Sequence, residues 1–454
     1  MSTDPWPAAS PAERIGRSRA LMRACAGAVA AWFAERAGQR EFAVFEAHFA
    51  VLRTVLDELL SAVEGRLDGL GPAGVPVDVH AACRDLDARV EIVRRLFGWY
   101  REKYDQRADP VLGPTIRAAD AIVRSCWTAP FMIAEVPRPA GPLTWLDHRY
   151  DAAARLRTAV PGELRALAEE LPIPVVVLPA VSVVEPWWLA LAAHETGHHV
   201  LHELDPGLPA AARSAVAFGT AAFETAGAWP DWAEESFCDA FAVLCVGPAA
   251  VRAVAELEYG PPADLVRFPG DADRYPPPAV RLALHGELAR AVGLDPPGPG
   301  AAEVAAWLDT LPPGAVAPLA VDEVRAHLDL VPAVAAALLG LRVNGCDLPE
   351  LCGFRPERFA PGGEVDEWLA QLPRTDPVVL SRQSQTAARS AIAAAAARPL
   401  DPGAARNLLT LLDGSGPPGT LAGPVRRDVD PRPVVDRLFG LDLTLDLTGE
   451  AHGA

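Results

Sequence analysis

Apolar residues in the first quarter of the chain recur at spacings of three and four. Phe42, Phe45, Phe49, Leu52, Leu56 and Leu59 form one stripe, and Val79, Cys83, Leu86, Val90, Val93 and Phe97 form another. That period belongs to an amphipathic α-helix. Ser10-Pro11-Ala12-Glu13 sets a capping box, with proline at the first helical position, ahead of an Ala-rich run, so a helix is predicted to start there and to end near Gly38. A shorter helix is predicted from Val111 to Cys126. Four helices joined by Gly/Pro turns predict an N-terminal bundle over residues 1–130, with the stripes as its core rather than as a partner-binding face.

Further on the pattern changes. Phe131 to Pro142 reads as a connector and Tyr150 to Glu170 as helical by composition. Leu171-Pro172-Ile173-Pro174 then forces extended backbone. Val175 to Leu178 and Val181 to Val184 are predicted as short strands of a small sheet. Glu185-Pro186 opens an apolar helix, and a second is predicted from Pro209 to Thr225. A second capping box, Asp231-Trp232-Ala233-Glu234, launches a helix that Gly247-Pro248 should stop. Tyr275-Pro276-Pro277-Pro278 precedes a helix with Arg281 and His285. Asp295 to Gly300 reads as a linker, followed by helices near 301–310, 321–341, 364–371 and 380–397 and a Gly/Pro-rich tail from Gly414, loosely held at its end. The expected fold is mainly α: a bundle over 1–130, a core with a small β element over 145–295, and a helical region over 301–454.

Composition narrows the functional classes. A chain of 454 residues is too long for one ordinary core. A formal charge of −18 argues against binding nucleic acid or an anionic membrane surface. Seven cysteines, odd in number and mostly within helical patterns, do not read as a disulfide framework. The N-terminus shows no basic region followed by an apolar run, and the longest apolar tract, Leu171 to Ala193, is broken by prolines and Glu185. A cytoplasmic protein is expected.

The candidate chemistry lies in His194-Glu195-Thr196-Gly197-His198-His199-Val200-Leu201-His202, which holds four of the ten histidines. Its H-E-x-x-H pattern puts His194 and His198 about 40° apart and one turn along a helix, so both imidazoles reach one metal ion. Glu195, about 100° round from His194, can face a water at that metal. The apolar run Trp187 to Ala193 predicts a buried helix, and buried histidines with a buried glutamate need partners, which a metal would supply.

The third ligand is the open question. His202 lies a further turn along, and histidines at i, i+4 and i+8 of a straight helix cannot converge on one ion. The metzincin pattern would need glycine and histidine where Leu201 and Leu204 stand. A carboxylate on another helix remains: Glu234 and Glu235 qualify by type, with Glu224 an outsider. Glu234 has a competing role in its capping box. Glu235 lies four residues before Asp239, so Glu235 can bind metal while Asp239 accepts the second ring N–H of a ligating histidine, and Glu235 is favoured.

His194-Glu195-x-x-His198 followed by Glu235-x-x-x-Asp239 resembles the gluzincin group of zinc metallopeptidases. The text around the histidines resembles the ImmA/IrrE-type peptidases in particular, and Glu235-Ser-Phe-Cys-Asp239-Ala-Phe-Ala also resembles the second helix of the HtpX-like peptidases. The resemblance implies a zincin-like core in which His194, His198 and Glu235 hold Zn²⁺, Glu195 is the catalytic base and Asp239 orients a histidine. It covers about residues 175 to 290, and the helical flanks match neither family. In several gluzincins a Pro-containing segment and an Arg or His follow the second helix and contact substrate. Tyr275, Arg281 and His285 resemble that element, and Arg281 or His285 would bind a substrate carboxylate or stabilise an oxyanion.

The favoured expectation is a soluble zinc metallopeptidase acting on a peptide or protein, with Glu195 taking a proton from the attacking water and passing it to the leaving amine. A regulatory protein partner bound through the helical flanks is a further expectation. One alternative keeps the zinc in a non-catalytic scaffold, sealed by a fourth ligand from His202 or Asp205. Another is a metal-free helical interaction protein.

Overall fold

The computed structural model describes residues 10–139, 141–148, 153–155, 167, 173–222, 227–268, 274–295, 298–374, 387–399, 401–413 and 430–441. In chain order the first helices are α1 (Pro11–Arg36), α2 (Glu46–Asp68), α3 (Pro76–Asp105) and α4 (Gly113–Ile133). Strands β1 (Leu143–Asp147), β2 (Ala153–Arg155) and β3 (Val175–Pro179) precede α5 (Leu191–Glu203), α6 (Leu208–Thr220), α7 (Ala233–Val246), α8 (Pro248–Leu257), α9 (Pro262–Leu265) and α10 (Pro278–Ala291). Then come α11 (Ala301–Asp309), α12 (Pro318–Leu328), α13 (Val331–Leu339), the strands β4 (Arg342–Val343) and β5 (Cys346–Asp347), α14 (Leu348–Leu351), α15 (Glu364–Gln371), α16 (Ala388–Ala397), α17 (Pro402–Asp413) and α18 (Arg432–Gly440). The architecture is mainly helical with two small sheets.

The chain divides into two compact units, Met1–Asp105 with Arg157–Pro174 and Val425–Ala454, and Gln106–Leu156 with Val175–Pro424. The first unit's leading segment ends at Asp105, and α4, which packs on α17, α5 and β1, belongs to the second unit. The helices from α11 to α17 also belong to that unit, and Gly286 shows how closely the chain before them is packed: a Cβ there would lie 2.3 Å from the Pro299 carbonyl oxygen, so Pro299 lies directly on α10.

In the first unit α1 packs on α2 and α3. The Ser10/Glu13 capping box forms as predicted, with the Glu13 carboxylate accepting from the Ser10 N–H at 2.8 Å. Trp32 anchors the core, edge-on to Phe33, Phe49 and Phe97 at 5.0, 5.4 and 5.7 Å between ring centroids, and its indole N–H donates to Asp105 at 3.0 Å. The predicted single stripe from Phe42 to Leu59 is broken: Arg40–Phe45 is a 3₁₀ turn, and the α-helix starts at Glu46. Within the predicted tail, α18 is a helix packed on α2.

In the second unit a three-stranded sheet, β1-β3-β2, supports the helices. β3 runs parallel to β1, with Leu143 opposite Val175, and antiparallel to β2, with Ala153 opposite Val177. Every residue of β3 is buried, as a continuous Val-Val-Val-Leu run requires. Arg107 is fully buried and pins α4 to β1, with Nε and Nη2 on Asp120 at 2.9 and 2.6 Å and Nη2 on the Thr144 carbonyl at 3.1 Å. Val181 to Val184 is not a strand: residues Ala180–Val183 make a 3₁₀ turn leading through Pro186–Ala190 into α5. The helical expectation for Tyr150 to Glu170 falls largely outside the described residues; of those described, Ala153–Arg155 form the strand β2 and Leu167 is helical. Residues 375–386 also lie outside them, so of the helix predicted near 380–397 the described part is α16. All seven cysteines are free. Among the described residues no helix is long and apolar enough to cross a membrane.

Candidate metal centre

Two helices build the centre. α5 carries His194, Glu195 and His198, and α7, packed against it, carries Glu234, Glu235 and Asp239. α5 is held from the sheet side by His199, whose Nε2 lies 3.3 Å from the Val175 carbonyl oxygen. The helices approach closely because Gly197 has no side chain: a Cβ there would lie 3.1 Å from Cys238 Cα and 3.3 Å from Phe241 Cδ1.

The close approach brings three donors together. His194 Nε2 and His198 Nε2 lie 3.3 and 3.2 Å from the same oxygen, Glu235 Oε2. Donors about 2.1 Å from one tetrahedral ion lie about 3.4 Å apart, so this spacing fits a metal. His194, His198 and Glu235 are 3, 5 and 6% exposed, and neither His194 Nε2 nor Glu235 Oε2 makes a hydrogen bond within the protein. Two imidazoles and a carboxylate, buried and converging, could hold a metal ion, and among the described residues this is the one such group of three.

The other face of each imidazole meets a carboxylate. His194 Nδ1 lies 2.8 Å from Asp239 Oδ1, as the spacing of Glu235 and Asp239 on one helix face predicts. His198 Nδ1 lies 3.4 Å from Glu234 Oε1, and the same oxygen lies 2.9 Å from His202 Nε2. The predicted capping box at Asp231 is absent. α7 starts at Ala233 with Trp232 as its cap residue and no side-chain cap, which leaves Glu234 free to serve the two histidines. These contacts hold the Glu234 carboxyl well below its usual range. Adjacency to Glu235 and the four-residue step from His198 to His202 were the signals for this role.

Neither proposed fourth ligand joins the group. His202 turns to Glu234, and Asp205 Oδ1 accepts the Gly207 N–H at 2.7 Å. Glu224 lies outside the described residues.

Arg281 and His285 on α10 are both buried, and both face Asp239. Arg281 donates Nε to Oδ2 and Nη2 to Oδ1, each at 2.9 Å, and Nη1 to Glu258 at 2.8 Å. His285 Nε2 lies 3.1 Å from Asp239 Oδ1. Each of the three guanidinium nitrogens of Arg281 thus donates to a carboxylate, two to Asp239 and one to Glu258. The ring of Tyr275, half-buried, faces the guanidinium at 4.5 Å. Burial raises the Tyr275 phenol, and the charges of Glu235 and Glu195 raise it further, so it remains a neutral donor beside the centre.

Electrostatics separate the two glutamates. Burial pushes Glu235 up, but the His194 and His198 imidazoles beside its carboxylate outweigh it and bring the carboxyl down to about 2. Glu195 is raised by burial against the pull of the histidines, and its Oε2 has no partner within the protein. No protein-family model, curated protein or solved structure matches the chain.

Proposed function

We propose that the chain is a zinc-dependent metallopeptidase of gluzincin type, with His194, His198 and Glu235 as ligands and Glu195 as general base. The observation that carries this reading is the convergence of both imidazole Nε2 atoms on one Glu235 oxygen at tetrahedral donor spacing. A set of two nitrogens and one oxygen suits zinc and, with no fourth protein ligand among the described residues, corresponds to the open coordination of catalytic sites. Zinc held there would supply Lewis acidity to a carbonyl oxygen and bring the pKa of a water to about 7.

The residues of the chain perform the remaining steps. Glu195, with a raised pKa and a free oxygen, takes the proton of the attacking water and returns it to the leaving amine. Asp239 and Glu234 hold the two imidazoles from behind, so that each presents Nε2 to the ion. Tyr275 is the neutral donor nearest in character to an oxyanion partner, and Arg281 and His285 act through Asp239.

Elemental analysis of purified protein, with hydrolysis of a mixed peptide library, tests the proposal. Near-stoichiometric zinc with chelator-sensitive cleavage is expected, and protein purified without metal and unable to bind it would overturn the reading. The deep burial of all three ligands also favours a second reading, a zinc-containing regulatory or scaffold protein, for which zinc would be present and cleavage absent.

A further inference from the structure

Arg389 of α16 is 5% exposed, and the groups it donates to carry no charge. Its Nε donates to Ser125 Oγ at 3.1 Å, its Nη2 to the Ser125 carbonyl oxygen and its Nη1 to the Cys352 carbonyl oxygen at 2.5 Å. An arginine does not shed its proton on burial, as a lysine can, so a negative group is required beside it. No carboxylate pairs with Arg389 among the described residues. Arg358 adds a second cation nearby: its Nε lies 3.5 Å from Glu364 Oε2, while its Nη1 is buried and makes no hydrogen bond within the protein.

The side chains that face Arg389 are thiols. Cys126 from inside α4, Cys245 near the end of α7 and Cys352 just after α14 are each 0% exposed and surround the guanidinium. Cys245 is the middle one, with its sulfur within hydrogen-bonding reach of both Cys126 and Cys352. Two S–H groups converging on one sulfur make that sulfur the acceptor, a role that suits a thiolate. Burial opposes charge on Cys245, but the two thiols, with Arg389 and Arg358, outweigh it and hold Cys245 well below the usual thiol range. The contact with Cys245 and burial push Cys126 up, and burial and the same contact push Cys352 up, so both keep their protons.

We propose that Cys245 is a thiolate, the counter-charge of Arg389, and that the cluster is a peroxide-reactive site in which Cys245 is oxidised and then bonded to Cys352. The Cys245 sulfur attacks one oxygen of a hydroperoxide, the O–O bond breaks, and hydroxide or alkoxide leaves, so the sulfur gives up two electrons and becomes a sulfenic acid. The Cys352 sulfur then attacks that of Cys245, and the S–O bond breaks to release water, which carries off the Cys352 proton. Cys352 takes the bond because it closes the one-turn helix α14, whereas Cys126 is fixed within α4 and its thiol also faces Arg389. Burial of all three sulfurs restricts the oxidant to one as small as hydrogen peroxide. The assignment rests on nothing in the metal centre.

Hydrogen peroxide treatment of the folded full-length chain, followed by alkylation and peptide mapping by mass spectrometry, tests it. One Cys245–Cys352 disulfide is expected, formed at a rate that changes less than about twofold between pH 8 and pH 6, where a thiol of pKa about 8.5 would slow by about 75-fold. With Cys126→Ser and Cys352→Ser combined, the sulfenic acid at Cys245 should persist and be trapped by dimedone. Arg389→Gln is expected to slow the reaction at pH 7 by about tenfold or more, and should it fold poorly the pH profile of the unaltered chain still tests the charge. Oxidation seen only in urea, or a rate that falls with pH as an ordinary thiol's does, would overturn the proposal. A link from Cys245 to Cys126 would overturn the choice of partner. A bound metal equivalent that Cys245→Ser removes would overturn the site as a redox site, by making the three sulfurs ligands.

Discussion

Asp239 and Arg281 are joined by two parallel hydrogen bonds, Nε to Oδ2 and Nη2 to Oδ1, both 2.9 Å. Asp239 is fully buried, and its Oδ1 also faces His194 Nδ1 and His285 Nε2 at 2.8 and 3.1 Å. One carboxylate therefore neutralises a buried cation and steadies a candidate ligand. Asp239→Asn removes the charge, leaves Arg281 underpaired and turns an amide donor toward another donor. Urea unfolding is expected to show a loss of about 3–5 kcal/mol. Chelator competition should show metal binding weakened by about 10–100-fold. A stability loss with unchanged metal affinity would mean that Asp239 anchors Arg281 and does nothing for His194.

Glu195 has a different signature because it is no ligand in the proposed centre. Its raised pKa comes chiefly from burial, and Glu195→Gln keeps nearly the same shape without the charge. The variant is expected to retain its metal and its melting temperature while peptide cleavage falls by about 10²–10⁴-fold. Full activity in Glu195→Gln would exclude Glu195 as the base.

Much of this site is legible in the sequence because it is written in helical periods. Two histidines four apart, and Glu235 four before Asp239, define faces on α5 and α7 without reference to the rest of the chain. Roles set by tertiary contact are not legible. Asp231 to Glu234 has the form of a capping box, yet the buried Trp232 packs on Trp229 and His327 at 5.4 and 5.1 Å and becomes the cap residue instead. The pairing of Arg281 with Asp239, 42 residues earlier, is one such contact that nothing local reveals. β1 escapes prediction for a related reason: Leu143 to Asp147 is short, and its parallel pairing with β3 is non-local.

The same charges predict how the metal-free protein responds to pH. Glu235 lies at about 2, and burial notwithstanding, Asp239 is held well below the usual carboxylate range by Arg281, His285 and His194. Their stabilising contributions are fully present above the unfolded value of about 4.3 and are lost as pH falls through the folded values. His194 has the opposite sign. Burial opposes its charge, but Asp239 and Glu235 raise its pKa, so its contribution is present below about 6.5 and is lost as pH rises through the folded value. Chelator-treated protein is therefore expected to melt highest between about pH 4.5 and 6.5. Added metal competes with protons for the same nitrogens, so it should remove the loss at high pH and bind more tightly as pH rises. A melting temperature of the chelated protein that climbs steadily to pH 8 would contradict this assignment of charges.

Gly197 sets the spacing on which the centre depends. A Cβ added there meets Cys238 Cα at 3.1 Å, Cys238 Cβ at 3.3 Å and Phe241 Cδ1 at 3.3 Å, and the first of these is backbone, which cannot swing aside. Alanine would force α5 and α7 apart by a few tenths of an ångström, partly offset by its better helix propensity of about 1 kcal/mol. Valine adds two methyl groups in the same place, and overpacking of that kind costs about 1–3 kcal/mol. Because His194 and His198 reach Glu235 across this seam, a wider seam separates the nitrogens from the carboxylate. Metal affinity is expected to fall in the order unaltered chain, Gly197→Ala, Gly197→Val, with fold and helix content retained in the alanine variant. Chelator competition beside circular dichroism measures both quantities, and equal affinity across the three proteins would show that the seam does not control the centre.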